Sequence, residues 1–261
     1  MRDGADAAGE LAGHDDWDRH WTGMADAASR NPAQAMRRRI VCSVLGAGIG
    51  ARVLDVGCGQ GDLVLELRRR HPHAELRGID YSQRGVDIAR AKVPNARFEQ
   101  RDLLAPGAPG PDMAGWATHA VCSEVLEHVD EPETLLVNAR DYLAPGCRLV
   151  VTVPGGPISA FDRHIGHRRH YTPDSMRETL RAAGFEVGIA AGAGFPAFNL
   201  YRLAVIARGE RMVADAGGVG AGRPSLLSRA AMAAFRPLLA VPLPFSRLGW
   251  QIVAVATLPA S

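Results

Sequence analysis

The sequence predicts an α/β fold, a doubly wound parallel sheet with helices on both faces, and two observations lead to this class. From residue 51 onward, short runs rich in Val, Ile and Leu alternate with amphipathic stretches of helical period. This alternation is typical of strands joined by crossover helices. A glycine-rich segment, residues 57 to 61, directly follows the first of these runs, where such folds pass from a strand into a helix.

The apolar runs predict strands at residues 53–56, 76–79, 96–100, 119–122, 148–153, 185–187 and 250–256. The run at 148–153 is apolar at nearly every position, as expected of a central strand. Helices are predicted at residues 62–70, from the N-cap Ser82 to about residue 92, at 131–143, and from the N-cap Thr172 to Gly184.

Composition limits the class of function. The chain has 261 residues, 47% of them hydrophobic, which suffices for one core with an appended subdomain. A net charge of +2 leaves no broad basic surface, so we expect a small-molecule partner and no nucleic acid. The first 15 residues lack the pattern of a secretory signal. No apolar stretch reaches the roughly 20 residues that cross a bilayer, so we expect a cytoplasmic protein without a transmembrane segment.

Asp55, in the first strand, precedes the glycine loop and bears on which cofactor the loop could hold. Such a loop serves either a dinucleotide or S-adenosylmethionine (SAM), and a pyrophosphate prefers backbone amides without a nearby carboxylate. SAM carries a cationic sulfonium and an ammonium group, which a carboxylate attracts. The alternative is an ordinary tight turn in which Asp55 accepts hydrogen bonds from loop amides.

Two further acids follow the second and third predicted strands. Asp80 suits a carboxylate that accepts both ribose hydroxyls, a feature shared with NAD enzymes. Asp102 suits the adenine amino group, while Leu103 offers an amide and apolar cover. Either acid alone is compatible with a solvated turn, but the three acids in phase with the strands favour SAM.

These residues resemble the class I SAM-dependent methyltransferases over residues 51–187 and the closing strand. Residues 121–129, 143–146 and 183–185 resemble the subgroup that includes quinone-pathway O-methyltransferases and natural-product enzymes. The resemblance implies a seven-stranded Rossmann-like sheet with an antiparallel last strand, and S-adenosylhomocysteine as product. Residues 123–126 read Ser-Glu-Val-Leu rather than Asn/Asp-Pro-Pro-Tyr, which argues against a flipped-base substrate. We predict cofactor contacts at Asp55, Gly57, Cys58, Gly59, Gly61, Asp80, Tyr81, Asp102, Leu103, Ser123 and Glu124.

The resemblance also divides the chain. We expect a disordered tail at residues 1–15, an N-terminal helical lid at 16–48, the SAM-binding core at 49–195, a helical insertion at 196–248, and the last strand with the C-terminus at 249–261. Two tryptophans of the lid, Trp17 and Trp21, could pack on substrate, although residues four apart on a helix face also pack in cores. A monomer and a homodimer both stay open.

Residues 161–171, after the fifth strand, hold three histidines and three arginines. Such a loop at the carboxyl edge of the sheet could recognise an anion, and a histidine there could remove a hydroxyl proton. The predicted catalytic residues are His128, His164, His167, His170 and Tyr171. The alternatives are an exposed basic loop with Tyr171 as a packing residue, and a His128 that only braces the next helix. We expect no metal, because the flanking arginines repel cations.

Together these features predict a SAM-dependent methyltransferase acting on an O or N atom of a small polar or anionic metabolite. Three alternatives remain: an enzyme acting on a lipid-linked or saccharide acceptor at the membrane surface, a non-catalytic SAM-binding protein, and an NAD(P)-dependent oxidoreductase. Arg229, Arg236 and Arg247 among apolar residues keep peripheral membrane contact open.

Overall fold

The computed structural model describes residues 17, 18, 21, 31–207, 209, 233, 235–241 and 244–260. The tail expected at residues 1–15 lies outside this part of the chain. Seven strands form one sheet: β1 (Arg52–Val56), β2 (Glu75–Asp80), β3 (Arg97–Gln100), β4 (Ala117–Ser123), β5 (Leu143–Pro154), β6 (Glu186–Ala193) and β7 (Gln251–Thr257).

The strand order is β3-β2-β1-β4-β5-β7-β6. The first five strands of this order are parallel to one another, whereas β7 pairs antiparallel with both β5 and β6. The predicted Rossmann-like sheet with an antiparallel last strand is confirmed.

The helices are α1 (Pro32–Leu45), α2 (Asp62–Arg70), α3 (Gln83–Lys92), α4 (Pro132–Arg140), α5 (Ala160–His164), α6 (Pro173–Ala182) and α7 (Ala197–Ala207), with a single 3-10 turn at Leu126–His128. One apolar cluster joins α1, α2 and α3 to one face of the sheet, and a second joins α4 and α6 to the other face. Helices on both faces make the sheet doubly wound, as predicted.

Both predicted N-caps are confirmed by hydrogen bonds. The Ser82 hydroxyl accepts from the Gly85 amide, and Thr172 forms a reciprocal capping box with Ser175. These caps satisfy amides that a helix N-terminus leaves without an intrahelical partner. They therefore fix where α3 and α6 begin after the sheet edge.

Several predicted boundaries were wrong: β6 continues to Ala193 rather than ending at residue 187, and the helix before β5 ends early while β5 begins early. The helix expected at residues 131–143 ends at Arg140, and Leu143 already begins β5 by pairing with Ala117. Tyr142 and Leu143 are both buried, so they continue an apolar pattern that either a helix or a strand would satisfy. Pairing with β4 decides between the two.

The insertion expected at residues 196–248 contains α7, which packs with α1 and residues 235–240 in a third apolar cluster. Its core includes Met36, Phe198, Tyr201 and Leu239. Among the described residues, no helix combines the length and apolar content needed to span a membrane.

Candidate active site

An open pocket lies at the carboxyl ends of the parallel strands, where strand order reverses between β1 and β4. This is where open α/β sheets bind ligands. Val56 and Gly57 at the end of β1, Asp80 at the end of β2, and Glu124 just after β4 line it.

The glycine loop requires its glycines. Gly57, Gly59 and Gly61 all have positive φ, a region that side chains rarely adopt. A Cβ at Gly57 would lie 2.3 Å from Val125, and one at Gly59 would lie 2.5 Å from the Trp21 ring. The loop backbone therefore lies in close contact with Val125 on one side and with the Trp21 ring on the other.

Asp80 holds the loop to the second strand. Its carboxylate accepts from the Gly59 amide at 2.6 Å and from the Ser82 amide at 2.8 Å. Burial raises the pKa of Asp80 to about 6, against the lowering effect of these two hydrogen bonds, with a further raising contribution from Asp18. The carboxylate lines the pocket, so it can accept from a ligand as well as from the loop.

Asp55 is placed differently. It is 2% exposed and does not line the pocket. Burial and the nearby Asp80 raise its pKa to about 7. Its charge can act on the pocket only through the loop. Cys58 is also buried, with its Sγ facing Gly78, and burial raises the pKa of its thiol.

Three further residues that we predict to contact the cofactor lie on the pocket wall. Tyr81, Asp102 and Leu103 all line the pocket. Asp102 accepts from the Leu104 amide at 2.8 Å, and Leu103 is buried. These three residues therefore line the pocket, and their contact with the cofactor stays a prediction, whereas Gly59 and Gly61 contribute to the shape of the loop rather than to the wall.

Glu124 has a left-handed backbone, with φ of 60°, the only such non-glycine among the residues in the described ranges. Strain of this kind persists where surrounding contacts hold it and is concentrated at functional sites. Here Arg37 Nε of α1 lies 2.9 Å from Glu124 Oε2, and Gln251 Nε2 of β7 donates to Oε1 at 2.9 Å. The neighbouring Ser123 lies off the pocket wall and is hydrogen-bonded to Thr152.

Three of the predicted histidines form a row that starts at the pocket. His128 lines the pocket, its ring 4.7 Å from the Trp17 ring and 4.7 Å from the His167 ring. His167 Nδ1 lies 3.0 Å from His170 Nε2, and His170 Nδ1 lies 2.9 Å from the Gly156 carbonyl oxygen. The loop of residues 161–171 thus reaches the pocket through His128.

The Gly156 carbonyl fixes the tautomers of this row. A carbonyl oxygen only accepts, so His170 Nδ1 carries a proton and its Nε2 accepts when the ring is neutral. His167 must then donate from Nδ1, which leaves a lone pair on its Nε2. Burial, helped by His128, lowers the pKa of His167 to about 3, and burial also lowers that of His170. Both rings are therefore neutral near pH 7.

The other two predicted catalytic residues lie apart from the row. His164 is exposed at the end of α5. Tyr171 is 4% exposed, its hydroxyl donates to the Leu126 carbonyl at 3.4 Å, and burial raises its pKa. Among the described residues of the pocket wall, neither is present.

The loop arginines also lie elsewhere than the anion site that the sequence suggests. Arg168 Nε is 2.9 Å from the Asp130 carboxylate, and Arg169 donates to the Asp130 carbonyl at 2.7 Å. They anchor the loop to the segment after His128. Arg101, which sequence reasoning did not single out, is the arginine on the described pocket wall.

Glu127 is fully buried behind His128. Neither carboxylate oxygen has a hydrogen-bond partner within the described part of the chain, and its Oε1 is 3.9 Å from His128 Nε2. Burial and the nearby Glu124 raise the pKa of Glu127 well above its usual range. The fold therefore favours the neutral carboxylic acid over the carboxylate at this position.

Two groups of side chains could hold a cation by spacing alone. Ligand atoms of Glu127, His128 and His167 lie within 4.8 Å of one another, as do those of Asp162, His167 and His170. Asp162, however, accepts from both Arg202 terminal nitrogens, at 3.0 and 2.7 Å, and from Ser159. Its oxygens are taken, and a buried guanidinium adjoins them. The absence of a metal stays a prediction.

Sequence reasoning missed several residues that shape the site. Arg37 belongs to a run of three arginines, and only the fold shows which one turns inward toward Glu124. Its second partner, Gln251, is 214 residues away. No sequence motif of polar residues at fixed spacing would identify Arg37 or Gln251 as part of the site.

The fold and the pocket together define a doubly wound α/β protein with an acidic, glycine-rich crevice at the switch point of its sheet. A family model described as methyltransferase domain matches residues 27–188. The chain belongs to this methyltransferase domain family.

Relatives show the same likeness. A trans-aconitate 2-methyltransferase of Delftia acidovorans is 36% identical over 115 residues, which cover 42% of this chain and 41% of that protein. A ubiquinone biosynthesis O-methyltransferase of Aeromonas salmonicida is 27% identical over 178 residues, 60% of this chain and 73% of that protein. The chain thus matches less than half the length of the first relative.

A solved structure extends the likeness of the fold. The cyclase SpnF superposes with a TM-score of 0.56 at 23% identity, over 88% of this chain and 82% of that one. A protein named as a cyclase therefore shares the fold, and the fold alone does not define a reaction.

Proposed function

We propose that this chain is a SAM-dependent methyltransferase that methylates an O or N atom of a small polar or anionic metabolite. One observation carries the proposal: the same pocket is lined by Gly57 of the glycine loop, by Asp80 and Asp102, and by His128. Donor-binding groups and a proton acceptor thus meet in one space. Family membership favours methyl transfer over the NAD(P)-dependent alternative.

The donor half rests on charge and hydrogen bonding. SAM supplies an activated methyl group on a cationic sulfonium. Asp80 accepts the two ribose hydroxyls, while Asp102 and the Leu103 amide meet the adenine ring. The negative charge of Asp80 attracts the cationic end of the molecule.

The acceptor half rests on the histidine row. In-line transfer forms the O–C or N–C bond as the S–C bond breaks, and the acceptor's proton passes to a ring nitrogen of His128. His167 and His170 hold the His128 ring in place. Trp17 and Trp21 line the same pocket and exclude water from the reacting atoms. Arg101 supports an anionic acceptor.

The first experiment separates the donor from the alternatives. Calorimetry with SAM, S-adenosylhomocysteine and NAD should show binding of the first two only. Methyl-labelled SAM is then incubated with a panel of hydroxyl, amine and carboxylate metabolites, and products are identified by mass. Binding of SAM without transfer to any acceptor class favours the non-catalytic alternative. Binding of NAD in place of SAM contradicts the proposal.

The second experiment tests the base. His128→Gln should lower kcat about 100-fold or more, the usual contribution of a general base, without changing SAM affinity. His73→Gln is the matched control, because His73 is exposed on the turn before β2. A chelator should leave turnover unchanged. Wild-type turnover in His128→Gln would remove the histidine from the mechanism.

A further inference from the structure

Helix α7 turns apolar side chains to solvent. Leu200 is 55% exposed and Leu203 is 49% exposed, and Ala204 and Ala207 share this face at helical spacing. Phe198 and Tyr201 are buried on the opposite face. A helix that is apolar all round belongs in a core or in contact with lipid.

The polar side chains of α7 point inward. Asn199 donates to the Leu248 carbonyl and accepts from the Trp250 amide, and Arg202 forms a buried ion pair with Asp162. The helix therefore uses its polar groups to attach itself to the fold and leaves leucines outside. An isolated exposed leucine is ordinary, but a whole outer face of this kind marks an interaction surface.

Residues 235–241 and 244–248 lie beside α7 and add further exposed apolar side chains. Phe235 packs on Tyr201 with ring centroids 5.5 Å apart, and the Asn199 bond to Leu248 fixes the end of the segment beside α7. We define the apolar face by its exposed large side chains, Leu200, Leu203, Leu238, Val241, Phe245 and Leu248, of which Leu248 is 60% exposed.

In the described segments that form the apolar face, the charged side chains are all positive. No Asp or Glu occurs at residues 187–209 or 235–261. Arg236 and Arg247 are exposed within the second of these segments. The two elements packed against it add further positive charge, since α1 contributes Arg39, which donates to the Leu239 carbonyl, and α5 contributes the exposed Arg163.

From this pattern we infer that the apolar face docks on the surface of an anionic phospholipid bilayer. Exposed leucines and phenylalanine enter the acyl boundary, while arginines at the rim meet the phosphates. A second copy of the chain fits less well, because a two-fold contact through this face would bring the same arginines together. The inference is independent of the proposed reaction, since docking needs no turnover.

The test is co-sedimentation of the full chain with vesicles of phosphatidylcholine, with and without phosphatidylglycerol. The wild type should bind the anionic vesicles, and high salt should weaken this binding. The double variant Leu203→Asp/Leu248→Asp should lose at least about tenfold in partition coefficient, because each leucine no longer leaves water. Ile49→Asp is the matched control, since Ile49 is 92% exposed in the turn between α1 and β1, outside the apolar face.

A separate pair of variants tests how much the arginines contribute to vesicle binding. Arg236→Gln/Arg247→Gln should lower partitioning about 25-fold, from about fivefold for each arginine. Arg69→Gln, at a side chain 68% exposed on α2, should not change it. Circular dichroism and SAM binding verify that each variant is folded.

Two results would overturn the inference. One is a wild type that sediments equally with neutral and anionic vesicles, or with neither. The other is a dimer in analytical ultracentrifugation that Leu203→Asp/Leu248→Asp dissociates, which would assign the apolar face to a second copy.

Discussion

Replacing Asp80 by asparagine tests the proposed donor site most directly. The carboxylate accepts from Gly59 and Ser82 amides and lines the pocket. Asparagine keeps the shape but offers one oxygen instead of two. Its amide group then faces either the Gly59 or the Ser82 N–H, and one acceptor for ribose is lost.

The magnitude follows from the bonds removed. Hydrogen bonds to a charged group contribute about 1.5–3 kcal/mol each, so losing one ribose contact weakens SAM binding roughly 10- to 150-fold. The wild type should also depend on pH. Because the pKa of the free Asp80 is about 6 and ligand hydroxyls favour the ionised form, affinity should fall about tenfold from pH 8 to pH 5.

Titration calorimetry with SAM at several pH values measures both effects. Asp80→Asn should bind weakly, with a flatter profile across this range. Asp87→Asn is the control, since Asp87 is half exposed on α3 and its hydrogen bonds to described residues stay within that helix. Asp80→Asn binding within twofold of the wild type, or wild-type affinity that rises toward acid pH, would refute the assigned role.

Three further variants test other parts of the structure by urea unfolding. Gly57→Ala should lose about 2 kcal/mol or more, because φ is positive and Val125 occupies the space; an unchanged midpoint contradicts this packing. Asp162→Asn should cost about 3–5 kcal/mol by leaving Arg202 buried without its charge partner, so a loss under 1 kcal/mol would show that the pair is not needed. Glu127 has a raised pKa in the fold, so the unfolding free energy should fall as pH rises above the usual glutamate pKa. Glu127→Gln should remove this decrease. An equal dependence of the unfolding free energy on pH in the wild type and the variant would contradict the prediction.

Much of the fold follows from local pattern. Strand ends at Val56 and Asp80 could be located because an apolar run stops there before a turn or cap. The antiparallel direction of β7 is not in its own apolar pattern, which a parallel strand would also satisfy. That feature came from resemblance to a family.

The site was less predictable, and the alternation of side chains along a strand explains one departure. Asp55 shares a face with Val53, while Leu54 and Val56 share the other. Val56 lies on the face that reaches the pocket, whereas Asp55 lies on the opposite face and is not among the residues that line it. A sequence motif shows that an acid is present but not on which face of the strand its side chain lies.

The histidines show a second limit. His164, His167 and His170 are evenly spaced, which suggests one cluster. The structure separates them, because α5 ends at His164 and only the following residues turn toward His128. Where a short helix ends decides which histidine faces the pocket.

The position of β7 has a consequence for how the chain acquires its structure. β6 pairs with no strand except β7 in the described sheet, yet residues 251–257 are synthesised long after residues 186–193. Until they emerge from the ribosome, β6 has no strand to join and one edge of β5 stays open. The part of the sheet formed by β7 and β6 must therefore assemble late, when β1 to β5 can already be folded.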